Sequence, residues 1–133
     1  MAKKKLLVID DEHHVRLLFF EELVEAGYDV VTSDGGEDIL ELLGREKPDL
    51  VILDINLDRN ETGFDLLRTI RSRDHRLPVI LCTALEDLQD DLQTIDADWF
   101  VSKSIDSTEL KLSIRNLLGE PEHVGAAQPK AIL

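Results

Sequence analysis

Apolar residues fall along this chain in two alternating patterns. Short unbroken runs, Leu6-Leu7-Val8-Ile9, Leu50-Val51-Ile52-Leu53 and Val79-Ile80-Leu81-Cys82, each stop on polar residues: Asp10-Asp11, Asp54 and Thr83 respectively. A fourth, Trp99-Phe100-Val101, runs on to Lys103. Runs this short, rich in Val, Ile and Leu and bounded by polar residues, predict strands buried on both faces of a parallel sheet. Between the runs the spacing becomes helical. Residues 12–26 set Val15, Leu18, Phe19, Leu23 and Ala26 on one side, with Gly27 placed to end the helix. Tyr28 to Thr32 is the next strand, and Asp34-Gly35-Gly36 turns the chain into a helix carrying Ile39, Leu40, Leu42 and Leu43. Lys47-Pro48 closes that helix, because a residue before proline avoids the helical region. Phe64, Leu67 and Ile70 define a third helix over 63–72. Leu85, Leu88, Leu92 and Ile95 define a fourth, and Leu110, Ile114, Leu117 and Leu118 the last.

Five strands each followed by a helix make an α/β chain built on a parallel sheet. In such sheets ligands bind beyond the carboxyl ends of the strands, so the residues that close the apolar runs are expected to meet there. Three carboxylates, a hydroxyl and an ammonium would share one site. Grouping carboxylates is unfavourable unless a cation or a bound proton relieves their repulsion. Magnesium suits that task, since it takes oxygen ligands and commonly combines one or two carboxylates with phosphate oxygens. Lys103 would supply a point charge for a phosphoryl oxygen, and Thr83 a hydrogen-bond donor. The set predicts a carboxylate that accepts a phosphoryl group.

Composition narrows the partners. With 28 acidic against 15 basic residues in 133, the formal charge of −13 repels nucleic-acid backbones and anionic lipid, so neither direct nucleic-acid binding nor membrane association is expected. The single Cys82 excludes an internal disulfide framework and suits a reducing compartment. The apolar stretch after the basic Met1–Lys5 is too short for a signal peptide, and no run approaches a membrane span. A cytoplasmic location is expected.

The residues Val8-Ile9-Asp10-Asp11-Glu12, Leu53-Asp54, Thr83-Ala84 and Phe100-Val101-Ser102-Lys103, taken in this order and spacing, resemble the response-regulator receiver domain of two-component signalling. The resemblance implies a doubly wound, flavodoxin-like five-stranded sheet of order 2-1-3-4-5 with helices on both faces. The resemblance covers about residues 5 to 118, so 1–118 is expected to be the receiver domain; two prolines and no periodicity beyond it make 119–133 a flexible tail or the start of a linker. By resemblance, Asp54 is the phosphoacceptor and Asp10, Asp11, Asp54 and the Asn56 backbone hold Mg²⁺. Thr83 and Lys103 engage the phosphoryl oxygens, and Thr83 and Phe100 form the conformational switch. The phosphoryl group would come from a sensor histidine kinase or a phosphotransfer protein, with a homodimer or an effector protein as a further partner. Such a domain takes part in its own aspartyl phosphorylation and dephosphorylation and is not a turnover enzyme on an external substrate. A pseudo-receiver, an interaction module that works without phosphorylation, is the alternative. Three features depart from the family pattern: the loop 57–63 lacks its usual proline and is one residue longer, Ser104 follows Lys103 where proline is common, and Asp96 stands where a glycine is common after the fourth helix.

Two further patterns are not absorbed by this site. His13-His14 lacks zinc-like ligand spacing and is expected to be a solvated first helical turn. Leu17, Phe20 and Val24 form a second stripe roughly opposite the core face of the first helix, and an exposed stripe of this kind suits docking.

Overall fold

The computed structural model describes residues 3–54, 63–83, 99–102 and 107–119; for Thr83, Trp99, Phe100 and Ser102 it describes the backbone alone. Along the chain lie β1 (Lys5–Ile9), α1 (His13–Glu25), β2 (Asp29–Ser33), α2 (Ile39–Glu46), β3 (Leu50–Asp54), α3 (Gly63–Arg73), β4 (Val79–Thr83), β5 (Trp99–Ser102) and α4 (Thr108–Leu118). The helix expected over 85–95 falls outside the described residues.

The strands form one parallel sheet in the order β2-β1-β3-β4-β5. Leu6 to Ile9 and Leu50 to Leu53 are entirely buried, as strands covered on both faces must be. Successive side chains point to opposite faces, which splits the core in two. Leu7, Ile9, Val51, Leu53, Val79 and Leu81 pack with Ile39 and Leu42 of α2 and Leu66, Leu67 and Ile70 of α3. Leu6, Val8, Leu50, Ile52, Ile80 and Cys82 pack with Phe19 and Leu23 of α1 and Leu110 and Ile114 of α4. Truncating one of these buried leucines to alanine would cost about 2–5 kcal/mol.

The helix ends follow local chemistry. Gly27 has φ 107°, and the Gly27 and Tyr28 N–H groups donate back to the carbonyls of Val24 and Leu23 at 3.0 and 3.1 Å. That paired arrangement satisfies carbonyls the helix leaves over and needs a left-handed residue, which glycine supplies without strain. Tyr28, expected to open the strand, belongs instead to this cap, and β2 begins at Asp29. At α2, the Asp38 carboxylate accepts the Leu40 and Glu41 N–H groups at 3.0 and 3.3 Å. Lys47 closes the same helix at φ 48°, ψ 57°, outside the right-handed region that Pro48 disfavours.

Candidate functional site

β1 and β3 are neighbours, and their last paired residues are Ile9 and Leu53. Asp10 and Asp54 each follow by one residue. They continue the side-chain alternation of Val8 and Ile52, so both fall on the same side of the sheet, at the carboxyl ends of two adjacent central strands. Asp11 comes next, where the chain leaves the sheet for α1. One carboxylate oxygen from each of Asp10, Asp11 and Asp54 lies within 4.8 Å of the others. Asp10 is 1 % and Asp54 3 % exposed, and Asp11 is half-buried.

The turn that carries the pair is tied down at several points. The Asp10 N–H donates to the Ser33 carbonyl at 3.1 Å, extending the β1–β2 ladder past its last strand residue. The Asp10 Oδ1 accepts the Glu12 N–H at 2.9 Å, a local turn that leads into α1. Arg16, in the second turn of α1, donates from Nη1 to the Asp10 carbonyl at 2.7 Å. Nothing in the linear pattern marks Arg16, because the bond depends on where the helix lies over the end of β1.

Buried charge is costly unless it is paired or coordinated, and two of these three carboxylates are buried. An all-oxygen, anionic donor set of this size fits a hard divalent cation, and Mg²⁺ in particular, which takes oxygen ligands and keeps several waters. Thr83 closes β4, in register with Ser102 of β5, and Asp54 pairs with Cys82, so Thr83 is one residue beyond the partner of Asp54. Phe100 stands in β5 opposite Leu81. Asn56, Lys103, the loop segment 57–62 and the 103–104 peptide lie outside the described residues. His13 and His14 are exposed, with His14 3.7 Å from Glu12. Leu17, Phe20 and Val24 are all exposed, as the second stripe on α1 predicts.

Comparison with known proteins agrees with this arrangement. The family model described as the response regulator receiver domain matches residues 6–115. The chain is 35 % identical over 120 residues to a Porphyridium aerugineum protein named "Probable transcriptional regulator ycf27", a match that covers 89 % of this chain and 49 % of that one. It thus spans about half the length of the curated relatives it matches. Among solved structures it is similar to the Thermotoga maritima response regulator TrrA in complex with Mg²⁺ and BeF. That match has 38 % identity and a TM-score of 0.79 and covers 86 % of this chain and 99 % of TrrA. It also resembles TrrA in the crystal structure with the histidine kinase ThkA, at 37 % identity and a TM-score of 0.77, covering 86 % of this chain and 98 % of the other.

Proposed function

The chain belongs to the response regulator receiver domain family, and from that membership we propose that it is a phosphorylation-controlled switch whose Asp54 accepts a phosphoryl group. The observation that carries the reading is the carboxylate triad: Asp10, Asp11 and Asp54 stand within 4.8 Å at the ends of β1 and β3, two of them buried. A structural role alone would not favour that grouping.

In the proposed reaction an Asp54 carboxylate oxygen attacks the phosphorus of a phosphohistidine on a kinase or phosphotransfer protein. The P–N bond breaks, an acyl phosphate forms on Asp54, and the imidazole leaves with the electron pair, its ring protonated by solvent. Asp10, Asp11, Asp54 and the backbone carbonyl of Asn56 would hold Mg²⁺. When bound, the ion offsets the charge that spreads over the transferring oxygens. Lys103 and Thr83 would contact those oxygens, and movement of Thr83 with Phe100 would carry the switch. The domain would span residues 1–118, with 119–133 leading away from it.

The phosphodonor is proposed to dock over Leu17, Phe20 and Val24. This stripe lies on the helix that follows Asp10 and Asp11 directly, and a relative 37 % identical to this chain has been crystallised with a histidine kinase. Output is proposed to pass through protein contacts, to an effector or a second copy, since the charge of −13 opposes nucleic acid. Among the described residues no helix is long and apolar enough to cross a membrane. The single Cys82 suits a reducing compartment, and on that ground a cytoplasmic location is proposed.

Beryllofluoride, a tetrahedral anion that mimics a phosphoryl group on a carboxylate, gives a direct test. Mg²⁺ and beryllofluoride together should raise the melting temperature of the parent and leave Asp54→Asn unchanged. No response in the parent would favour the pseudo-receiver.

A further inference from the structure

We infer that Arg16 is a positioning residue for the proposed cation site, acting through the peptide that joins Asp10 to Asp11. The inference rests on the reading of the triad as a Mg²⁺ site. The Asp10 carbonyl that accepts Arg16 Nη1 at 2.7 Å belongs to the same rigid plane as the Asp11 N–H. Rotation of that plane would swing Asp11 relative to Asp10. Two further bonds hold the Asp10 side of the plane: the Asp10 N–H donates to the Ser33 carbonyl, and the Asp10 Oδ1 accepts the Glu12 N–H. Arg16 holds the plane itself, through the Asp10 carbonyl. Asp11 is also the half-buried member of the triad, with less packing around it than Asp10 or Asp54.

Mg²⁺ accepts little deviation from octahedral geometry, so it responds strongly to ligand placement. Partners that orient metal ligands typically cost about 10–100-fold in affinity when removed. A Coulomb argument predicts the opposite sign. A guanidinium near three carboxylates weakens the field that attracts a cation, so a neutral residue at position 16 would tighten binding if charge were all that mattered. The two accounts separate cleanly in one measurement.

Arg16→Met removes the donors and the charge while keeping an apolar stem against Leu17 and Phe20, with which Arg16 lines a small cleft. Arg16→Lys keeps a charge and a single-point donor. Mg²⁺ affinity should be measured by calorimetry on the whole chain, together with the melting temperature in EDTA. Binding about tenfold or more weaker in Arg16→Met, with Arg16→Lys between it and the parent, is the expected result. Equal or tighter binding in Arg16→Met would overturn the inference while leaving the cation site intact. So would a loss of melting temperature in both variants with affinity unchanged, which would mark Arg16 as merely structural. Absence of Mg²⁺ binding in the parent would instead overturn the site reading, and this inference with it.

Discussion

Replacing Asp11 by Asn should change stability in opposite directions with and without metal. Its oxygen lies within 4.8 Å of oxygens on Asp10 and Asp54. At that separation two unit charges repel by about 0.9 kcal/mol in water and about 3.5 kcal/mol at an effective dielectric near 20. Asp11 is half-buried, so the lower figure applies better, and screening by salt reduces it further. Two relieved pairs then amount to about 1–2 kcal/mol, and Asp11→Asn should be more stable than the parent by that much in EDTA. Mg²⁺ at a hundredfold excess over its Kd stabilises the parent by about 2.7 kcal/mol. With one of its three carboxylates gone the variant should gain little, and so finish about 1 kcal/mol below the parent. Urea unfolding at neutral pH, once in EDTA and once in Mg²⁺, reads both differences directly. A variant that is less stable in both buffers would refute the repulsion argument, and one that gains as much from Mg²⁺ as the parent would remove Asp11 from the site.

Adjacent phenylalanines on α1 should behave differently: Phe19 is 4 % and Phe20 41 % exposed. Phe19→Ala should cost about 3–5 kcal/mol in denaturant unfolding, whereas Phe20→Ala should cost well under that and weaken association with the phosphodonor protein. Lys103→Ala should leave Mg²⁺ affinity nearly unchanged by calorimetry while slowing phosphoryl transfer; lost metal affinity would show its role to be misplaced. Hydrogen bonds from Arg45 and then Lys5 hold the Glu46 carboxyl below the ordinary carboxylate range. A depressed carboxyl contributes stability above its unfolded pKa and loses it as pH falls through the folded one. Glu46→Gln should therefore be slightly less stable than the parent at neutral pH and converge with it well below about pH 4 in an unfolding series.

Much of this architecture was legible because a parallel sheet buries both faces of its strands. The runs at Leu6, Leu50 and Val79 stand out as unbroken apolar segments, and their closing residues locate the crevice. Asp10, Asp11 and Asp54 were legible for the same reason, since they stand at or just beyond the ends of β1 and β3. Features that depend on tertiary placement were not. Arg71, buried in α3, donates to the carbonyls of Asp74 and Leu77 at 3.3 and 2.6 Å, and no periodicity marks an arginine for the interior. Arg16 is unmarked likewise, because its acceptor is a backbone carbonyl in the turn after β1. The cap at Asp38 was readable in principle, being an acidic residue followed three positions later by Glu41.

The proposed switch depends on metal-dependent phosphorylation of Asp54. Intact mass, measured after incubation of the whole chain with a small phosphodonor and Mg²⁺, tests it most directly. One phosphoryl group should be added to the parent, none when EDTA replaces Mg²⁺, and none to Asp54→Asn under either condition. Labelling that persists in Asp54→Asn, or a parent that stays unmodified when Mg²⁺ and phosphodonor are both in excess, would contradict it.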